Sequence, residues 1–254
     1  MKKALIIGGS SGIGYEFIKL IKKDYYIYNI SRRKCVLEDV ENITFDLEKD
    51  LTRISSEIQN IEFDLFAYFA GTSMSYSICE VDKIKYKYLY EINYFKVIEL
   101  LKIVVPNMIK NEKGQIILAS SLASKMYIPF DTFYSSSKEA LNLLSMELNL
   151  ELNKYNIYSM SVLIGPTKTK FSYKRDISNK EYYFDEFEEA TNKLIKLEQQ
   201  GMDKKKTAEL IASKIDSRKK IYIPGFFNKL MYSLYKILPG NILFFIIKRK
   251  YKVM

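Results

Sequence analysis

An apolar run, Ala4-Leu5-Ile6-Ile7, passes directly into Gly8-Gly9-Ser10-Ser11-Gly12-Ile13-Gly14, and Ile13, Phe17, Leu20 and Ile21 then recur at helical spacing. This reads as a buried strand, a tight turn and an amphipathic helix. Glycine is required where the backbone takes positive φ or where a Cβ would hold a ligand away. The free N–H groups of a helix start favour negative charge. A bare glycine triplet would be an ordinary structural turn. Set between a strand and a helix, it is a candidate cradle for the pyrophosphate of a dinucleotide.

The rest of the chain repeats the strand and helix alternation. Further strands are predicted at Tyr25–Ile30, Ile43–Phe45, Leu65–Phe69, Gln115–Ala119, Tyr158–Ile164 and Lys220–Ile223, after a first at Lys3–Ile7. Helices are predicted near Ile13–Lys22, Leu51–Gln59, Val81–Asn111 (broken or kinked, with Pro106 near its end), Thr132–Asn153 and Lys204–Ile215. Continuous apolar strands alternating with helices imply an α/β, Rossmann-like, doubly wound parallel sheet of about seven strands, with the ligand at the carboxyl ends of the strands. At 254 residues the chain suits a single catalytic domain, residues 1–224. Residues 170–201, rich in Phe, Tyr, Glu and Lys, read as a helical lid, and residues 225–254 as a basic amphipathic extension.

Composition removes several chemistries. The chain has no histidine, so Ser-His-Asp hydrolysis and the common histidine metal sites are out, and no metal is expected. Cys35 and Cys79 are far apart, which argues against a disulfide framework and for a reducing, cytoplasmic setting. Strand one begins almost at the first residue, leaving no room for a signal peptide, and no run approaches the ~20 apolar residues of a spanning helix. The net charge of +10 is concentrated beyond Asp216, where nine Lys and Arg residues meet no carboxylate. The body is near neutral, so nucleic acid is not expected as a partner.

Tyr134 and Lys138 form Y-x-x-x-K, a spacing that sets both side chains on one helix face. The same spacing occurs at Tyr15/Lys19 and Tyr232/Lys236, so on its own it means little. Context distinguishes the middle pair. The strand Gln115-Ile116-Ile117-Leu118-Ala119 ends in Ser120-Ser121, thirteen residues ahead of Tyr134. A carbonyl reduced by hydride needs a proton at its oxygen, and a Tyr of ordinary pKa, about 10, is a poor partner for the reverse step unless its anion is stabilised. A nearby Lys138 ammonium favours the phenolate, and Ser121 can hydrogen-bond the same oxygen.

Together these segments resemble the classical short-chain dehydrogenase/reductase family. Gly8, Gly12 and Gly14 match its G-x-x-x-G-x-G cofactor turn, in which Ser10, Ser11 and Ile13 would also contact the dinucleotide; Ile7 stands where the family usually has Thr. The resemblance assigns Ser121, rather than Ser120, Tyr134 and Lys138 to catalysis, with Lys138 also holding the nicotinamide ribose. Asn93, in Glu91-Ile92-Asn93-Tyr94, matches the asparagine that positions a water in a proton relay. Asp46 and Leu47 match the adenine-reading position, and Ala70-Gly71 the end of Asn-Asn-Ala-Gly, whose asparagines are here Tyr68 and Phe69. That exchange threatens a sheet-bracing hydrogen bond. Gly165, Thr167 and Thr169 match the Pro-Gly-x-x-x-Thr loop, with Thr169 for the nicotinamide carboxamide.

After strand two the chain reads Asn29-Ile30-Ser31-Arg32-Arg33, with no carboxylate for a ribose hydroxyl. Guanidinium forks suit a 2′-phosphate, so NADP is expected over NAD, with Arg32 leading, Arg33 beside it and Ser31 assisting; two solvated loop arginines are the plainer alternative. The expected activity is interconversion of a small-molecule carbonyl and a secondary alcohol. A non-catalytic dinucleotide sensor or scaffold, or a sugar-nucleotide epimerase or dehydratase, would share part of the pattern. Phe171, Tyr173, Tyr182, Tyr183, Phe184 and Phe187 make the lid either an apolar cover for a lipophilic substrate or a packing face. The family associates as homodimers or homotetramers, and Leu141, Leu144 and Leu148 offer a stripe for that or for inward packing. In the tail, Phe226, Phe227, Leu230, Met231, Leu234, Ile237 and Leu238 recur at helical spacing, then Pro239-Gly240 leads into Ile242–Ile247 and Lys248-Arg249-Lys250. Such a segment suits peripheral contact with an anionic membrane, at its inner face, or a cap on the pocket or on a second subunit.

Overall fold

A computed structural model describes residues 1–177 and 184–251, so Tyr182 and Tyr183 lie outside the described residues. Its centre is a seven-stranded, all-parallel sheet of β1 (Lys2–Ile7), β2 (Tyr25–Ser31), β3 (Val40–Thr44), β4 (Leu65–Tyr68), β5 (Gly114–Ser121), β6 (Ile157–Ile164) and β7 (Ile221–Tyr222), in the order β3-β2-β1-β4-β5-β6-β7. The order reverses direction between β1 and β4, which opens a crevice at the carboxyl ends of those strands. Central strands must be apolar on both faces, and β5 is buried along its whole length.

Helices cover both faces: α1 (Gly12–Ile21), α2 (Thr52–Ile58), α3 (Lys83–Tyr90), α4 (Lys96–Lys110), α5 (Thr132–Leu152), α6 (Phe184–Gln199) and α7 (Lys204–Ala212), followed by α8 (Phe226–Ile237) and α9 (Gly240–Tyr251). One core holds Phe17, Ile18 and Ile211 against one face of the sheet; the other holds Leu100, Val104 and Leu141 against the opposite face. The long helix expected from Val81 is interrupted at a π turn, Glu91–Phe95, while Pro106 sits within α4. Pro106 and Lys102 both lie on the exposed side, where water can satisfy the carbonyl that the missing proline N–H leaves unpaired.

Packing bears on two alternatives that the sequence leaves open. Leu141 is fully buried and Leu144 and Leu148 pack against the core beside it, so that stripe faces the sheet and not a partner; Leu143 and Leu150 are the exposed leucines of α5. The tail is only partly free. α9 buries Leu243, Ile247 and Tyr251 against Ala190 of α6 and half-buried Ile128, Phe130 and Tyr235, whereas α8 buries no residue.

Candidate active site

The turn after β1 adopts the geometry its glycines allow. Gly12 takes φ +63° with nothing within 4 Å of where a Cβ would stand, so the backbone faces open space. A Cβ on Gly14 would lie 2.6 Å from the Gly8 carbonyl oxygen, so α1 could not approach the turn. Ser11 occupies the N-cap of α1 without a side-chain hydrogen bond, and the first turn carries no acidic residue. The helix start therefore presents N–H groups to an anion. The turn is held from behind, where Gly9 N donates to Asn29 Oδ1 at 2.9 Å.

Around this cradle runs one cavity of about 2390 Å³, more than twice the upper end of the ordinary ~300–1,000 Å³ range, enough for a dinucleotide and a sizeable second ligand. Gly8, Ser10, Ser11, Gly12, Ile13 and Gly14 line it. So do Ser31, Arg32, Arg33, Asp46 and Leu47, then Ala70, Gly71, Gly165, Thr167 and Thr169. Arg32 and Arg33 are exposed, and neither has a carboxylate within ion-pair distance among the described residues. The Ser31 hydroxyl already donates to Asn29 Oδ1, which leaves the charged donors to the arginines. The residues present fit a dinucleotide, with a glycine turn and free helix N–H groups suited to a pyrophosphate and two exposed arginines on the same cavity.

Ser121, Tyr134 and Lys138 line the same cavity from β5 and α5. Ser120 is turned to a different use, since its hydroxyl donates to the Lys138 carbonyl and braces α5 on the sheet. Tyr134 is buried, and burial pushes its phenol above the ordinary range; the Ser121 hydroxyl and the charge of Arg175 oppose this, while Glu198 and Asp131 push the same way. The phenol therefore rests protonated. Lys138 Nζ lies 5.9 Å from the Tyr134 ring centre and donates to the Ala119 carbonyl at 3.0 Å. Burial penalises that ammonium and lowers its pKa to about 8, so the charge is present at neutral pH and lost above it. If the ammonium is needed, kcat/KM for the reduced cofactor should fall as pH rises through about 8, where the free enzyme loses that charge. A profile flat to well above that pH would show that Lys138 works uncharged.

Asn93 does not line the cavity. It is fully buried in the π turn, where Nδ2 donates to the Thr72 carbonyl and to Ser137 Oγ, both at 3.0 Å, and Oδ1 accepts from Thr72 N at 2.9 Å. Both amide protons are committed, so its side chain staples the loop after β4 to α5. The brace expected to be lost at Tyr68 is replaced: its buried hydroxyl donates to the Ile92 carbonyl at 2.6 Å.

Sequence reasoning missed three residues beside Tyr134. Arg175 donates through Nη1 to Asp131 Oδ1 at 2.6 Å and through Nη2 to Glu198 Oε1 at 2.9 Å, and its guanidinium carbon lies 5.8 Å from the Tyr134 ring centre. Burial pushes the Asp131 carboxyl up to about 6 against the pull of Arg175. The cluster ties the start of α5 to the end of α6. Asp131 and Glu198 lie 44 and 23 residues from Arg175 in the chain, so only folding joins them. Phe171 packs on Tyr134 with ring centres 6.0 Å apart, Phe187 packs on Phe130 at 5.1 Å, and Tyr173 is exposed, so the lid aromatics serve both as cover and as packing.

The family model described as short chain dehydrogenase matches residues 2–180. The chain is 27% identical over 259 residues to a probable short-chain type dehydrogenase/reductase, VdlC, of Helicobacter pylori, covering 94% of this chain and 93% of that one. It is 26% identical to the NADPH-dependent 1-acyldihydroxyacetone phosphate reductase of Saccharomyces cerevisiae, over 75% of this chain and 70% of that one. With the 3-ketodihydrosphingosine reductase of Bacteroides thetaiotaomicron the identity is 29%, over 85% and 83%. A solved short-chain dehydrogenase from Streptomyces avermitilis shares the fold, with a TM-score of 0.82, 20% identity and 93% of each chain covered. With the cradle, the cleft and these likenesses together, the chain belongs to the short-chain dehydrogenase family, NAD(P)-dependent oxidoreductases acting on CH–OH and C=O groups.

Proposed function

We propose that this enzyme reduces the ketone of a lipophilic substrate with NADPH, and can run the reverse oxidation, using Tyr134 as acid and base. The observation that carries the reading is the buried, protonated Tyr134 phenol, which lines one cavity together with Ser121, Lys138, the glycine turn and a set of apolar side chains. Bound in this cradle, NADPH would supply the hydride. Tyr134 gives its proton to the carbonyl oxygen as charge develops there, and Ser121 hydrogen-bonds that oxygen. Lys138 holds the nicotinamide ribose and, as an ammonium, favours the phenolate left behind. Asn93 keeps the loop at Gly71 and Thr72 in register with α5, which is how it would position a relay water. Thr169 holds the carboxamide, Asp46 and Leu47 the adenine.

Two relatives support a lipid-like ketone, since their names pair an acyl chain with dihydroxyacetone phosphate and a keto group with dihydrosphingosine. NADPH oxidation against ketones graded in chain length tests the reading. Rates should rise with chain length, and a chain that oxidises NADPH with none of them is a sensor and not a reductase. NADPH should be preferred over NADH by at least about tenfold, because one charge-assisted phosphate contact is worth roughly 1.5–3 kcal/mol. Arg32→Ala with Arg33→Ala should erase most of that ratio in kcat/KM; an unchanged ratio would mean that the two arginines are solvent-facing only. In this reading the enzyme is cytoplasmic, a homodimer or homotetramer by light scattering, and peripheral to a membrane through residues 225–254.

A further inference from the structure

The helices that close the cavity are the helices that face outward unpartnered. Eleven large apolar side chains between Phe226 and Ile246 are exposed, far more than scattered surface residues would supply. Phe227, Leu230, Leu234 and Ile246 belong to this exposed set and also line the cavity that reaches Tyr134. The cavity thus shares apolar side chains with the outer surface of α8 and α9. The start of α8 is seated on the cofactor loop, because a Cβ on Gly165 would meet the side-chain carbon of Asn228 at 2.5 Å.

Charge identifies the occupant of that face. Lys229, Lys236, Lys248, Arg249 and Lys250 are all exposed around it, and no acidic residue follows Asp216 in the sequence. A second copy docked by a two-fold axis would bring these cations against their own equivalents. An anionic bilayer meets both features at once, with headgroups for the cations and acyl chains for the apolar rim. Each helix has 12 residues, about 18 Å at 1.5 Å per residue, and no helix among the described residues is long and apolar enough to cross a membrane. They can lie in the interface.

We propose that α8 and α9 form a membrane-docked portal through which a long-chain ketone passes from the acyl layer of an anionic bilayer to Tyr134 without entering water. This rests on the reading of the cleft as a ketone reductase and adds where the substrate comes from and by which route. The outer residues Phe226, Phe244 and Phe245 are exposed but do not line the cavity, so docking can be altered without touching the site.

The test uses the full chain and three measurements on wild type and on Phe226→Ser/Phe244→Ser/Phe245→Ser. The first is co-sedimentation at low salt with vesicles of equimolar phosphatidylglycerol and phosphatidylcholine, or of phosphatidylcholine alone. The second is NADPH oxidation with a long-chain ketone embedded in the anionic vesicles, and the third with a short water-soluble ketone. Wild type should pellet with the anionic vesicles and not with the neutral ones. The triple variant should remain in the supernatant and lose at least about tenfold in rate on the embedded ketone, while turning over the soluble ketone unchanged. Wild type that stays in solution with anionic vesicles overturns the proposal. So does a variant that no longer pellets yet keeps its rate on the embedded ketone, or one whose oligomer falls apart by light scattering, which would make the face a contact between copies. Failure of wild type on the embedded and the soluble ketone alike instead sinks the reductase reading, and the sedimentation arm reports docking independently of it.

Discussion

Tyr134→Phe is expected to cut turnover by roughly 10²–10⁴-fold while leaving NADPH affinity nearly unchanged. The substitution removes one hydroxyl from a buried ring and little else. Phe171 at 6.0 Å and the surrounding wall would still hold the phenyl ring in place. What is lost is the proton that burial keeps on the phenol. Lys138→Met should behave differently, lowering both cofactor affinity and rate, because that side chain serves the ribose as well as the phenol. Steady-state rates combined with NADPH titration by fluorescence separate the two patterns. More than a few per cent of activity left in Tyr134→Phe would remove this residue as the acid.

Arg175→Met should destabilise the enzyme by roughly 3–5 kcal/mol, since it strands buried negative charge. Arg175 and Asp131 side chains are each only 1% exposed, so water cannot take over the lost pairing. The Asp131 carboxyl, already raised from 3.8 to about 6, sets the pH dependence. A carboxyl whose folded value exceeds its unfolded value contributes stability that is fully present below the unfolded value and is lost as pH rises through the folded one. Without the guanidinium the same carboxyl holds its proton still more tightly. The damage from Arg175→Met should therefore be smaller at about pH 5 than at about pH 8, where the ion must be buried bare. Thermal or urea unfolding at both pH values measures this. Equal loss at the two would mean that Asp131 does not supply the stranded charge.

The legible parts of the site were those carried by short segments. The strand, glycine turn and helix at residues 4–21 depend on contacts within a few residues of one another, and so does the spacing of Tyr134 and Lys138. The strand ending at Ser121 could be read too, although the choice between the two serines becomes physical only when Ser120 is seen bonded to the Lys138 carbonyl. For Asn93 the sequence supplies a position but not the partners of its side chain. Whether an amide faces a ligand or bridges two loops depends on what lies 21 and 44 residues away.

Tyr68 makes the same point from the other side. Losing the family's asparagines reads as losing a brace, yet a tyrosine hydroxyl reaches the Ile92 carbonyl across 24 residues of sequence and restores it. The leucines of α5 show why periodicity cannot choose a partner. An apolar stripe must be buried, but sheet and second subunit satisfy that requirement equally until the sheet is present.

By itself the sequence determined the parallel α/β architecture and the strand, glycine turn and helix at residues 4–21, because these are written in local periodicity and glycine stereochemistry, whereas Ser121, Tyr134 and Lys138 were singled out by resemblance to a family. The tertiary structure alone decided that Arg175 gathers Asp131 and Glu198 beside Tyr134, and that the same tail helices both close the cavity and face outward. Those arrangements consist of contacts between residues far apart in the chain, whose attraction acts only after packing has removed the water between them.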